Sequence, residues 1–307
     1  MKMVGMGQIR ERFTYLSNPR LSLALLAGMR LSTLSNWLVY RALTLSYRSR
    51  ALATLAKVSE VVGTREILIL ANGPSASKLN VAELLRQQQQ GRIFVIVMNS
   101  FYDSPISNQV QPDLLMLSDN FHHPRRIDQD QQARLFWETI SQNKSLLLGA
   151  PLDWYPSVVG NQSFSNDFIF FDDAGLEGWV KNINPARARG YGSMTAQKAI
   201  ALALISKAET IKLLGFDNSM FMGLEVDASN RVFESAPYFF GKAKLNEVTY
   251  FTGGTADYFY YISRIFSDFK LLNSPRVVNL DPASLVDAFR KAPGDPLIRS
   301  ETGPGNN

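Results

Sequence analysis

Residues 66–75 read Glu66-Ile67-Leu68-Ile69-Leu70-Ala71-Asn72-Gly73-Pro74-Ser75, a short apolar run that stops on four turn-forming residues. A run of this length bounded by Asn, Gly and Pro predicts a buried strand followed by a tight turn. The same pattern recurs. Ile93–Met98 ends on Asn99-Ser100, Asp113–Ser118 on Asp119-Asn120, and Thr210–Gly215 on Phe216-Asp217-Asn218-Ser219. Ser145–Leu148, Phe168–Phe171 and Arg276–Leu280 complete the set of strands. Helices are predicted at Val81–Gln90 and Met194–Lys207, and Pro282 stands where the first turn of a closing helix would begin. Strands alternating with helices predict an α/β fold, a Rossmann-like and mostly parallel sheet flanked by helices. In such sheets ligands gather at the carboxyl ends of the strands, near the topological switch point. Each polar cluster just after a strand is therefore a candidate site.

Composition narrows the chemistry. The chain has 307 residues, 46% of them apolar and 19% charged. That balance supplies a core for one or two domains and excludes a disordered or collagen-like chain. There is no cysteine. Disulfides, thiolate metal sites and a cysteine nucleophile are excluded, which fits a cytosolic compartment. His122 and His123 are the only imidazoles, too few for a multi-histidine metal centre.

Charge divides the chain. Residues 1–60 hold nine Lys/Arg and two acids, a net +7, whereas the other 247 hold 23 bases and 25 acids, a net −2. A near-neutral body argues against nucleic acid as a partner. The apolar stretches Leu21–Ala27, Trp37–Tyr40 and Leu52–Leu55 are separated by Arg30, Arg41, Arg48 and Arg50. None reaches the ~20 residues needed to span a bilayer. The segment reads as basic amphipathic helix, suited either to an anionic membrane surface or to packing on the body. The expected organisation is an amphipathic segment over 1–60, a Rossmann-like domain over 61–295 and a flexible tail over 296–307.

Four clusters sit at strand ends: Asn72-Gly73-Pro74-Ser75, Asn99-Ser100, Ser118-Asp119-Asn120 and Gly215-Phe216-Asp217-Asn218-Ser219. A fifth, Gly190-Tyr191-Gly192-Ser193-Met194-Thr195, precedes an apolar helix, with Arg187 and Arg189 just upstream. Free N–H groups at a helix start, together with its dipole, favour an anion there. The pair Asp172-Asp173 reads as a turn.

The order of these motifs resembles bacterial sialyltransferases of glycosyltransferase family 42. Those carry a Gly-Asn-Gly-Pro-Ser turn, an Asn-x-Phe segment, an Arg-x-Thr-Ser-Gly turn, a Gly-x-Asp strand end and a closing Cys-Pro-x-Ser-x-Leu segment. Asn279–Leu285 is similar to the last of these, and the resemblance covers roughly residues 66–291. It implies a cytidine monophosphate (CMP) sugar as donor, of sialic acid or Kdo type, a glycan or glycolipid acceptor, and no tightly bound cofactor or metal. Asn72, Gly73 and Ser75 would hold phosphate and ribose, Asn99 the sugar or phosphate, and Asp217 would border the nucleotide. Ser193 or Thr195 would replace the family's turn serine, with Gly192 beside them. A lid over about 220–254 would bring Tyr238 and Tyr250 to the phosphate. The family's lid histidine has no counterpart; its place falls near Thr252. The candidate proton acceptors are then His122 and His123, followed by Asp257, Glu234 and Glu247. The enzyme would sit peripherally on the cytoplasmic membrane face, and homo-oligomers are compatible with the sequence. A Gly-x-Gly-Pro-Ser turn also occurs in archaeal-type pterin diphosphokinases, which would need magnesium on acids such as Asp119, Asp172 or Asp217. A non-catalytic, transferase-like binding protein is the remaining alternative.

Overall fold

The computed structural model describes residues 19–161, 164–176, 179–192, 194–235, 245–247 and 255–299. Among the described residues the first elements are the helices α1 (Pro19–Thr44), α2 (Arg48–Leu52) and α3 (Ala56–Val62). Then come β1 (Glu66–Leu70), α4 (Val81–Gln89), β2 (Ile93–Met98), β3 (Leu114–Met116), α5 (Gln131–Ser141), β4 (Leu147–Pro151), α6 (Tyr155–Val159) and β5 (Phe168–Phe171). α7 (Thr195–Leu204) leads into β6 (Ile211–Leu214). β7 (Leu224–Val226), β8 (Val232–Ser235) and β9 (Leu245–Glu247) form a small antiparallel sheet inside the expected lid. α8 (Thr255–Leu271), β10 (Val277–Asn279) and β11 (Arg290–Lys291) close the domain.

The main sheet has the order β11-β10-β6-β1-β2-β3-β4-β5, with every pair parallel. This is the Rossmann-like α/β architecture, and each of the seven strands read from the sequence is present. Successive residues of a strand point to opposite faces. Ile67 and Ile69 pack under α3, α7 and α8, while Leu68 and Leu70 pack against α4 and α5. Both faces are covered, which is why the strands read as continuous apolar runs.

Three expectations are corrected. A boundary at 60/61 would cut through the core, because Ala51, Leu55, Val58 and Val62 are buried. Thr54 Oγ1 accepts from Phe170 N (2.8 Å), and Ser59 Oγ donates to Ile205 O (3.0 Å). A flexible tail from 296 is also wrong at its start: Leu297 is fully buried, and Asn80 N donates to its carbonyl (2.8 Å). Finally, no helix forms at Pro282. Asp281 N donates to Asn279 Oδ1, Ala283 N to Asp281 Oδ1, and Val286 N to Ser284 Oγ. Such local side-chain acceptors satisfy the backbone in a turn and compete with helix.

Candidate functional site

The chain lays β1 to β5 outward in one direction and returns to place β6 on the other side of β1. The switch point therefore lies between the ends of β1 and β6, where the Asn72–Ser75 and Gly215–Asn218 turns meet. These turns are knitted together. Ala71 N donates to Leu214 O (2.8 Å) and Gly73 N to Gly215 O (3.0 Å). Ser75 donates to the Asp217 carboxylate through its N–H (3.1 Å) and its hydroxyl (2.8 Å), and Gly215 N donates to Ser75 Oγ (3.1 Å). The glycines are steric necessities. A Cβ on Gly73 would overlap Asp217 Oδ2 and the Gly215 carbonyl, and Gly215 has φ +81° against Ala71 O. Ser75 is buried, and its polar atoms and those of Asp217 serve each other. Both were expected to face a nucleotide; here their first duty is to hold the two strand ends in register.

The neighbouring asparagines are less satisfied. Asn72 Nδ2 reaches Met98 O only at 3.5 Å. Asn72 Oδ1 is buried with no partner among the described residues, as is Asn218 Nδ2. A buried polar atom left unpaired costs about 1–3 kcal/mol. Asn218 also holds φ +54°, and Asn99, directly after β2, φ +44°. Asparagine tolerates this left-handed region best among residues with a Cβ. Local strain of this kind clusters at functional sites.

Asn99, Ser118 and Thr195 form a second group. Thr195 Oγ1 accepts from Asn99 Nδ2 (2.9 Å) and shares a 2.6 Å hydrogen bond with Ser118 Oγ, while Ser118 N donates to Asn99 Oδ1 (3.3 Å). The first turn of α7 thus sits on the ends of β2 and β3. Met194 at its N-cap supplies no side-chain acceptor. The glycine turn before it is occupied differently from expectation: Gly192 N donates to Asp268 Oδ2 of α8 (2.8 Å) and is not free for an anion. Arg189 is buried, paired with Asp173 (3.1 Å) and bonded to Tyr191 O. Ser193, Tyr238 and Tyr250 lie outside the described residues. Asp257 is in the first turn of α8 and Glu247 in β9, with side chains outside the description.

Past β4 and β5 lies a cluster that the sequence reading did not assemble. Asp172, read as a turn residue, is buried and ion-paired with Arg48. Asp173 pairs with Arg189 and with Lys198 of α7 (2.9 Å). Lys198 is buried, and desolvation lowers its pKa. Asp153, just after β4, has its carboxyl pushed up to about 6, by burial first and by the negative charge of Asp173 second. Tyr40 of α1 sits against the same acids, its hydroxyl raised well above the ordinary value by burial and then by Asp153. The available signals were Asp153 within three residues of a strand and a lone lysine in an apolar helix. Lys198 lies one turn beyond Thr195, so the clusters at β2–β3 and β4–β5 share one helix end.

The histidines fare poorly as bases. His122 is buried, its ring 4.2 Å from that of Phe136 and 5.3 Å from that of Phe121. Burial lowers its pKa. His123 Nδ1 accepts from Arg125 N (3.1 Å), and burial with the nearby Arg125 charge lowers its pKa to about 4. An imidazole neutral at pH 7 with Nδ1 as acceptor carries its proton on Nε2, so neither nitrogen is free to take another. Both rings lie after β3 as the sequence implies; His123 Nδ1 is engaged, whereas His122 Nδ1 is buried without a partner among the described residues. Asp119 accepts from Phe121 N (3.0 Å), Asp172 is bound by Arg48, and Asp217 by Ser75. Among the described residues no group of three or more His, Asp or Glu is arranged to hold a metal ion.

No family model matches the chain, and no curated protein matches it. Among solved structures it is similar to the MAf glycosyltransferase from Magnetospirillum magneticum AMB-1, with 16% identity and a TM-score of 0.42 over 75% of this chain and 33% of that one. The chain thus spans about a third of the length of that structure.

Proposed function

We propose that the chain is a glycosyltransferase that binds a nucleotide sugar along the carboxyl edge of its sheet. The observation that carries this is the pair of unsatisfied carboxamides, Asn72 Oδ1 and Asn218 Nδ2, flanking the switch point between β1 and β6. An acceptor and a donor are both offered there, as a nucleotide requires. Asn99, Ser118 and Thr195 then line the path from nucleotide to sugar. The order of motifs favours a CMP-linked acidic sugar as donor.

The acceptor's attacking hydroxyl needs a proton acceptor; His123 Nδ1 is taken by Arg125 N, and the His122 ring is enclosed between Phe121 and Phe136. Asp153 takes this role in the reading. Its carboxyl sits near neutrality, matching the working pH of a general base. It stands three strands from β1, roughly 14 Å along the sheet edge. As the new glycosidic bond forms and the phosphate leaves, Asp153 accepts the hydroxyl proton, while the positive end of the α7 dipole opposes the charge on the leaving phosphate.

A thermal-shift screen of CMP, CDP, UDP, ATP and GDP tests the proposal. Selective stabilisation by CMP is expected. Magnesium-dependent ATP binding would move the reading to a diphosphokinase. Indifference to all five would leave a non-catalytic binding protein.

A further inference from the structure

We propose that the outer face of α1 docks on an anionic lipid bilayer. The helix has two sides. On the inner side, Trp179 Nε1 donates to Arg30 O (2.9 Å), Thr44 is fully buried, and Tyr47, just past the helix, stacks on Tyr155 at 5.3 Å. On the outer side, Leu31, Leu38, Val39 and Leu43, with Leu45 just past the helix, are 44–71% exposed. Leu31 and Leu38 lie two turns apart on one stripe, with Val39 and Leu43 alongside. A soluble surface rarely leaves so many large aliphatic side chains together.

Charge identifies the occupant. No Asp or Glu occurs between Glu11 and Glu60, while that interval contains seven Lys/Arg, of which Arg48 and Lys57 pair with Asp172 and Asp167. Arg30 and Arg50 are exposed. A leucine face on a helix that carries Arg30, with exposed Arg50 following in α2 and no acid in this stretch of sequence, complements a negatively charged headgroup layer, with the aliphatic side chains entering the acyl boundary. A second copy of the chain would instead bring like charge against like. Among the described residues no helix is long and apolar enough to cross a membrane, so the contact is with the surface.

The placement has a consequence for the substrate. Tyr40 of α1 packs on the core that includes Leu152 and Trp154, the residues either side of Asp153 at the end of β4. The docking face therefore belongs to the element that covers one end of the candidate site. Resting on the transferase reading, this favours a lipid-borne glycan as acceptor.

Sedimentation of the full chain tests the docking without nucleotide or sugar, so its failure leaves the transferase reading untouched. Two vesicle types are compared, phosphatidylcholine alone and the same lipid with about one third phosphatidylglycerol. Binding is expected only to the second, and to weaken with salt. Arg30→Gln with Arg50→Gln should lower the partition coefficient about thirtyfold, roughly fivefold per charge. Leu38→Ser with Leu43→Ser should lower it by at least about tenfold. Both pairs are exposed, and unchanged melting temperatures would verify that the variants fold. Wild-type protein left in the supernatant with both vesicle types overturns the proposal. So does binding unaffected by either pair, or a dimer in size-exclusion that the leucine pair dissolves while vesicles are ignored.

Discussion

Replacing Asp153 by Asn should stabilise the protein while removing its transfer activity. The carboxyl has a pKa of about 6 in the folded chain against an ordinary 3.8. Its folded-state pKa is raised, so between these values the folded chain holds a proton that the unfolded chain has released. Stability therefore falls as pH rises through the window from about 4 to 6, by about 1.4 kcal/mol per unit. The full shift corresponds to about 3 kcal/mol. Solvent at the partly exposed carboxylate trims this, leaving about 1–3 kcal/mol. Asparagine keeps the shape and removes the charge that Asp173 opposes. Thermal melts of wild type and Asp153→Asn at pH 4, 6 and 8 should differ little at pH 4, with the variant several degrees higher at pH 8. In the wild type, the acidic limb of the pH–rate profile should follow the same ionisation. A variant less stable at pH 8, or a difference independent of pH, would show that the ionised carboxylate is not destabilised by its burial beside Asp173. Asp153 would then be a structural counter-ion of Lys198. A stabilised variant with undiminished transfer would refute the catalytic part alone.

Other outcomes follow from the same geometry. Gly73→Ala should cost about 2–4 kcal/mol in urea melts, because its Cβ would overlap Asp217 Oδ2 and Gly215 O. Arg48→Ala should cost about 3–5 kcal/mol by leaving Asp172 buried and unpaired, and a neutral effect would show that the pair is dispensable. Asn72→Ala should leave the melting temperature within a degree or two and weaken CMP binding about tenfold by calorimetry. Unchanged affinity would remove Asn72 from the site.

Much of the fold was legible because the signals that specify it are local. Apolar runs such as Ile67–Leu70 and Ile93–Met98, each ending on Asn or Gly, define strands and turns from neighbours a few residues away. Parallel pairing followed from their alternation with helices, and the carboxyl edge as the place to look followed from parallel pairing. The sequence also located the turns that carry Asn72, Asn99, Thr195 and Asp217, and it isolated the basic character of the first sixty residues. What each side chain does there was decided by groups far along the chain. Ser75 and Asp217 look like ligand contacts in isolation, yet 142 positions apart they bind each other. His123 looks like a base until the fold buries its ring against Trp154, and burial lowers its pKa. Asp153 looks ordinary until folding buries it beside Asp173. Ala51–Val62 reads as the end of a basic arm, but its small apolar face fills the core under β5 and α7. Backbone preference is set by a residue and its neighbours, so sequence determines it. Burial, pairing and proton affinity are set by whatever the fold brings within a few ångströms, so only the tertiary structure decides them.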